Sequence, residues 1–186
     1  EEESSSVSNL SSTSGPVSIN YSTPSTSLEV SFGGDRLTTP GSPVTFQAFI
    51  KKNSSSNNSL TFDWSFGDGS VGSGALVTHS YKYPGDYAVV LNSKSGNNFS
   101  ISRSKVKVVE PSISLKKEEN YIEINNDSAY EINLFNWKIT SGGKGFVFQP
   151  DTIILPKSKM MLDNQMLLMK GEAIGETILK NSLGVE

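Results

Sequence analysis

Apolar and polar residues alternate in short runs along most of the chain after residue 27. The alternation is clear at 28–32, 60–66, 87–93 and 101–109. Because side chains of a strand point alternately to the two faces of a sheet, this period of two predicts half-buried β-strands. Clusters of Gly, Pro, Asn and Ser separate the runs and predict turns. The pattern therefore predicts an all-β chain with short antiparallel strands packed as a β-sandwich.

The segment 43–50, "PVTFQAFI", is expected to form one strand of this sandwich. It places Val44, Phe46, Ala48 and Ile50 at every second position. These four side chains are therefore predicted to lie together on the strand face that covers the core.

The first 27 residues have a different composition. Ser occupies 11 of these 27 positions, and Thr, Pro and Gly occupy several of the others. Such a stretch buries too little apolar surface to offset the entropy lost on ordering. We therefore predict a flexible Ser/Thr-rich tether at 1–27. The alternation of Val17, Ile19 and Tyr21 leaves open an edge strand that docks on the sandwich.

A boundary is predicted at Glu110 and Pro111, because proline cannot continue the ladder of the preceding strand. A second series of strand-like runs follows as far as residue 162. The predicted organisation is thus the tether, a first β-domain at 28–110 and a second β-domain at 111–186.

The apolar run 166–169 differs from the strands around it. It follows Asp163 and Asn164, either of which can cap a helix, and it predicts one or two helical turns. The chain has four methionines, which we interpret as residues that fill gaps in the core: Met160, Met161, Met166 and Met169.

Composition and charge narrow the possible functions. Of the 186 residues, 35% are hydrophobic, which is low for one well-buried core. The net charge of −3 argues against nucleic-acid binding, which needs an excess of Lys and Arg. No Cys is present, which excludes disulfides and a Cys nucleophile. No run of 18 apolar residues could span a membrane, and the acidic, polar start is not a signal peptide.

The segment 62–91 holds the residues best suited to chemistry. Asp63, Asp68 and His79, the single His of the chain, could supply an acid, a base and an orienting group. Asp68 lies in "GDGS", where an Asp usually accepts backbone N–H groups and holds a turn. His79 is two residues before Tyr81 and shares its face of a strand. We therefore interpret Asp68 and His79 as structural residues.

A calcium site is the alternative that the carboxylates leave open. Asp35, Asp63 and Asp68 could supply oxygen ligands, and Asp63 and Asp68 are the candidates within the segment 62–91. The loop 51–59 offers two Lys and no carboxylate, which disfavours a cation. The Gly-rich run 67–74 lacks the Lys and the following helix of a phosphate-binding loop.

The same segment resembles the PKD domain family, whose pattern is W-x-F-G-D-G followed by H-x-Y-x-x-P-G-x-Y-x-V. The matching residues are Trp64, Phe66, Gly67, Asp68, Gly69, His79, Tyr81, Pro84, Gly85, Tyr87 and Val89. The resemblance covers about 28–110. It implies an immunoglobulin-like sandwich in which Trp64 and Phe66 fill the core and two Gly-containing turns reverse the chain. Ser65 stands where some bacterial members have a calcium-binding Asp, so the resemblance disfavours calcium.

Residues 112–186 resemble the lamin tail domain, which is also an immunoglobulin-like sandwich. The matching residues are Ile122, Glu123, Ile124, Asn125, Leu134, Trp137 and Ile139. The segment 146–162 continues the resemblance, with Ser158 in place of the usual Gly. Trp137 is expected in the core of this domain, and its final strand is expected at or beyond Glu186.

Together, the two resemblances imply a non-catalytic module of a bacterial surface or exported multidomain protein. It would act as a spacer or bind a protein or polysaccharide, outside the cell or at its surface. The alternative is an accessory binding region of a secreted hydrolase whose catalytic domain lies outside this chain. No catalytic residue, cofactor or metal is predicted for the chain, and nucleic acid is not an expected partner.

Overall fold

The computed structural model of the chain describes residues 28–53, 59–163 and 176–185. Within these ranges the regular structure consists of β-strands without a helix, so the predicted all-β class is confirmed. It follows that no helix of the described ranges is long and apolar enough to cross a bilayer. The tether predicted at 1–27, with its alternative edge strand, and the helical turns predicted at 166–169 lie outside the described residues.

The described strands of residues 28–110, which we call the first half, form two layers. They are, in chain order, β1 (Leu28–Ser31), β2 (Arg36–Thr38), β3 (Pro43–Gln47), β4 (Phe49–Asn53), β5 (Leu60–Ser65), β6 (Val71–Ser73), β7 (Leu76–Ser80), β8 (Gly85–Ser95) and β9 (Asn98–Val108). One layer is a five-stranded sheet in the order β2-β9-β8-β5-β6, in which β2 runs parallel to β9. In the other layer, β1 pairs with β4 and β3 pairs with β7.

The core of this half lies between the two layers. Its buried residues are Leu28, Val30, Phe32, Val44, Phe46, Trp64, Phe66, Tyr81, Val89, Leu91, Val106 and Val108. Trp64 is at the centre, with its ring centroid 5.0 Å from that of Phe32 in an edge-on arrangement. The alternation predicted for 28–32 and 60–66 is confirmed, since their inward positions are buried or packed against this core.

The prediction of one continuous strand at 43–50 is wrong in its second part. The ladder between β3 and β7 ends at Ala48, with the hydrogen bond from Ala48 N to Ala75 O at 2.8 Å. Before this point β3 pairs with β7, and after it β4 pairs with β1. Val44 and Phe46 are buried and Ala48 packs against the core, whereas all five residues of β4, which pairs with β1 alone, are exposed, Ile50 at 53%.

In the second half, residues 111–186, the described ranges contain eight strands. They are, in chain order, β10 (Ile113–Lys117), β11 (Tyr121–Asn126), β12 (Ile132–Asn133), β13 (Lys138–Ser141), β14 (Lys144–Val147), β15 (Ile153–Ile154), β16 (Ser158–Asp163) and β17 (Ile178–Lys180). They form three antiparallel sheets in the orders β10-β11-β16, β12-β15 and β14-β13-β17. The buried Asn126 joins two of these sheets, because its Nδ2 donates to Ile154 O at 3.1 Å.

A second set of buried residues lies among these strands. It consists of Val109, Ile122, Ile124, Ile132, Leu134, Trp137, Ile139, Phe148, Ile154 and Leu162. Met160 packs against it, as expected of a gap-filling residue. Met161 does not, because the next position of β16 faces solvent and leaves this side chain 55% exposed. Met166 and Met169 lie outside the described residues.

Candidate functional site

The turn between β5 and β6 is built around two glycines with left-handed backbone. Gly67 has φ of 86° and Gly69 has φ of 93°. The turn closes with a hydrogen bond from Phe66 N to Ser70 O at 3.2 Å. A Cβ at Gly67 would lie 2.7 Å from Ala88 O on the adjacent strand β8, closer than real contacts allow. The turn therefore needs glycine at position 67 for its conformation and for the close approach of β8.

Asp68, Ser70 and His79 meet beside this turn. Asp68 Oδ1 accepts from Ser70 N at 3.0 Å and from Ser70 Oγ at 2.5 Å. Asp68 Oδ2 lies 2.7 Å from His79 Nε2. Ser70 Oγ lies 3.3 Å from the same His79 Nε2. Sequence reasoning missed Ser70, although a Ser two residues after an Asp in a turn is a recurrent side-chain-to-backbone pattern that could have identified it.

These three residues do not have the geometry of a nucleophilic triad. In a triad the carboxylate and the nucleophile contact different nitrogens of the imidazole, so that one orients the ring while the other loses its proton. Here Asp68 and Ser70 both contact His79 Nε2, and the Ser70 hydroxyl donates a hydrogen bond to Asp68. The group therefore closes a turn and offers no activated nucleophile.

Two opposing effects set the pKa of Asp68. Burial favours the neutral acid and raises the pKa, whereas hydrogen bonds from Ser70 and His79 stabilise the carboxylate and lower it. The hydrogen bonds outweigh burial, and the pKa of Asp68 is below its ordinary value. The carboxylate is consequently more stable in the folded chain than in the unfolded one.

We expect this lowered pKa to make the first half sensitive to acid. The contribution of Asp68 to stability is fully present above its unfolded pKa of about 4 and is lost as the pH falls through the folded pKa. Asp68→Asn cannot titrate, so the gap in unfolding free energy between wild type and variant should be largest near neutral pH and shrink below about pH 4. Urea unfolding of both proteins across this range measures the gap. A gap that stays constant would contradict the assignment.

His79 belongs to a row of aromatic rings. Its ring stacks on Phe66 with centroids 4.3 Å apart and meets Tyr81 edge-on at 4.7 Å. Tyr81 in turn stacks on Tyr87 at 4.4 Å. The Tyr81 hydroxyl donates to Phe66 O at 3.0 Å, and burial raises the pKa of this phenol. The row thus links the two layers through rings and hydrogen bonds.

The second turn of the matched pattern precedes β8. Pro84 is exposed, and Gly85 is the first residue of the strand. A Cβ at Gly85 would lie 3.5 Å from the ring of Tyr87, which is an ordinary contact. The Tyr87 hydroxyl donates to Tyr83 O at 2.9 Å and holds this turn against the strand.

The three carboxylates considered as calcium ligands, Asp35, Asp63 and Asp68, do not form one cluster. Asp63 is exposed on β5, opposite Ser73 and Asn92. Asp35 Oδ1 accepts from Lys105 N at 2.8 Å, and this backbone hydrogen bond is the main cause of its lowered pKa. Within the described ranges, no cluster of three or more His, Asp or Glu could hold a metal ion.

The two tryptophans are both buried, but their indole N–H groups differ. Trp64 is 2% exposed, and its Nε1 donates to Gly74 O at 2.8 Å. Trp137 is 4% exposed and lies in the second core, as expected. It lines a cavity of about 290 Å³ with side chains of β10 and β17. Its buried Nε1 has no hydrogen-bond partner in the described part of the chain.

Comparison with known proteins identifies the first half. A family model described as PKD domain matches residues 28–109. Among solved structures, the chain is similar to the "Solution structure of the PKD domain (329-428) from human KIAA0319", with 22% identity, coverage of 59% of this chain and 99% of that chain, and a TM-score of 0.41. No curated protein matches the sequence. The lamin tail resemblance stays a prediction, whereas residues 28–109 are a PKD domain with an immunoglobulin-like β-sandwich fold.

Proposed function

We propose that the chain is a non-catalytic extracellular or cell-surface module that acts as a spacer or binds a protein or polysaccharide. The observation that carries the proposal is the closed network of Asp68, Ser70 and His79. These three side chains, which have the greatest catalytic potential in the chain, are hydrogen-bonded to one another. Their hydrogen bonds stabilise a turn.

We also propose that residues 111–186 form a second domain of the lamin tail type. In its support, residues that carry the resemblance contribute to the second set of buried side chains: Ile122, Ile124, Leu134, Trp137 and Ile139. The two sets of buried residues share no member and change over between Val108 and Val109. This division supports a boundary near Pro111, with Val109 contributing to the second core.

The alternative is an accessory region of a secreted hydrolase whose catalytic domain lies outside this chain. Both functions are compatible with a PKD domain, and they differ in the polymer that is bound. An accessory region binds the polymer that its catalytic partner degrades, whereas a surface module binds a component of its surroundings or nothing. Nucleic acid is not a proposed partner, because the net charge is −3.

A parallel pull-down tests the proposal. The baits are envelope polysaccharide and peptidoglycan of the source organism and, as a control polyanion, duplex DNA at physiological salt. We expect saturable binding to one polymer and none to DNA, together with no release of reducing ends from the bound polymer. Heat-unfolded chain is the control for non-specific adsorption. Absence of binding to all baits would leave the spacer function, and hydrolysis of a bound polymer would overturn the non-catalytic proposal.

A further inference from the structure

The outer face of the five-stranded sheet carries an exposed row of side chains along β9. Alternation turns one set of β9 residues to this face, and all of them are exposed: Phe99, Ile101, Arg103, Lys105 and Lys107. On β8, Lys94 lies opposite Phe99, and Asn92 lies opposite Ile101. We call this surface, with Asp86 of β8 and Asp63 of β5, the β9 face. From Phe99 to Lys107 it extends over roughly 27 Å.

Positive charge is concentrated on the β9 face. It has four cations, Lys94, Arg103, Lys105 and Lys107, and two carboxylates, Asp63 and Asp86. The remaining ionic residues of 28–110 balance, with four cations and four carboxylates. The excess positive charge of this segment therefore lies on one face, although the whole chain has a net charge of −3. Such an asymmetry complements an anionic partner.

Two of these four cations are available to a ligand. Lys107 is engaged, because its Nζ donates to Tyr130 OH at 2.9 Å and Asp86 lies opposite it on β8. Arg103 and Lys105, by contrast, form no ion pair within the part of the chain that the structure describes, although the Asp35 carboxylate, bound to Lys105 N, lies near Lys105. They are consecutive outward residues of one strand, so their side chains project side by side.

The end of the β9 face next to these cations is apolar. Phe99 is 67% exposed and Ile101 is 63% exposed, which is unusual for two neighbouring large side chains on one sheet face. Lys94 Nζ lies 5.5 Å from the centroid of the Phe99 ring. The amide of Asn92 and the hydroxyl of Thr61 flank this end of the face. An exposed ring with amide and hydroxyl neighbours can stack on the C–H face of a sugar and bond to its hydroxyls.

We propose that the β9 face binds an anionic polysaccharide, with Arg103 and Lys105 on its carboxylate or sulfate groups and Phe99 against a sugar ring. The inference rests on the proposed function as a binding module and specifies its ligand class and site. Asp63 and Asp86 on the same face disfavour the denser charge of nucleic acid. An acidic peptide would use the cations but would not need the aromatic end with its polar flanks.

Binding of the full chain to soluble polymers tests the proposal. The probes are dextran sulfate, its neutral parent dextran and, as a carboxylated polymer, polygalacturonate. Duplex DNA and poly-L-glutamate are the competing polyanions. We expect binding to one or both anionic polysaccharides and none to dextran, with weaker binding at higher salt. Arg103→Ser/Lys105→Ser should lower the affinity by about tenfold. Lys52→Ser/Lys82→Ser, which removes the same charge away from the β9 face, should leave the affinity unchanged.

A second pair of variants tests the aromatic contact. Phe99→Ala should weaken binding, and Tyr83→Ala, which removes another exposed aromatic ring, should not. Equal losses in test and control variants, equal affinity for DNA or poly-L-glutamate, or no binding to either anionic polysaccharide would overturn the proposal. Binding of another envelope polymer that is insensitive to the β9-face variants would overturn this site alone, and the proposed function would stand.

Discussion

Replacing Gly67 by Ala is expected to lower the free energy of unfolding of the PKD domain by roughly 2–4 kcal/mol. Two effects add at this position. The left-handed backbone, with φ of 86°, strains any residue that has a Cβ. The new Cβ would also lie 2.7 Å from Ala88 O and 2.9 Å from Ala88 N. Because these are main-chain atoms of the central strand β8, relief of the clash requires part of the sheet to move.

Gly69 provides the matched control within the same turn. It has a similar φ of 93°, but a Cβ there would meet nothing within 4 Å. We therefore expect Gly69→Ala to show the backbone strain alone, about 1–2 kcal/mol. Urea unfolding of the two variants and wild type, followed by tryptophan fluorescence, measures both losses. Similar losses in the two variants would show that the approach of β8 does not require glycine at position 67.

Trp64→Phe is expected to destabilise the chain by about 2–4 kcal/mol, and Trp137→Phe by no more than about 1–2 kcal/mol. Both changes remove the same atoms from a buried position. Trp64 also loses the hydrogen bond to Gly74 O, whereas Trp137 loses an N–H group without a partner in the described residues. Removal of an unsatisfied buried donor offsets part of the cost of the cavity.

The same two variants test the division into two domains. Each variant retains one tryptophan, which reports on the half that contains it. If 28–110 and 111–186 are separate domains, Trp64→Phe should shift the circular-dichroism transition of the first half and leave the fluorescence transition of Trp137 in place. A shift of both transitions by the same amount would contradict the division. A larger loss for Trp137→Phe than for Trp64→Phe would contradict the role given to the Gly74 hydrogen bond.

Sequence reasoning found the sandwich where burial dictates the residue at every second position. Trp64 on β5, Phe66 directly after this strand, and Val106 and Val108 on β9 are buried where the alternation puts them. Gly67 and Gly69 likewise predicted a turn, since few other residues adopt the left-handed backbone conformation that this turn needs. These features depend on local chemistry, which a sequence displays directly.

The features that it missed depend on a partner distant in the chain. Ile50 was placed in the core because nothing in 43–50 reveals the change of partner at Ala48, which depends on the positions of β1 and β7. The contact of Ser70 with His79 likewise depends on how the turn after β5 lies against β7, a strand that pairs with β3 in the other layer. The charge on the β9 face, in contrast, was available from the sequence, because inward Val106 and Val108 imply outward Arg103 and Lys105.

The parallel pairing of β2 with β9 has a mechanical consequence. The two strands contain the early and the final residues of the PKD domain, and Val109 N extends their ladder by donating to Thr38 O at 2.9 Å. Tension that reaches β2 from the N-terminal side and β9 from the C-terminal side pulls the two strands in opposite directions along their length. All hydrogen bonds of the ladder are then loaded in shear at the same time, instead of being unzipped one after another. Such a ladder resists extension better than one whose hydrogen bonds break in sequence.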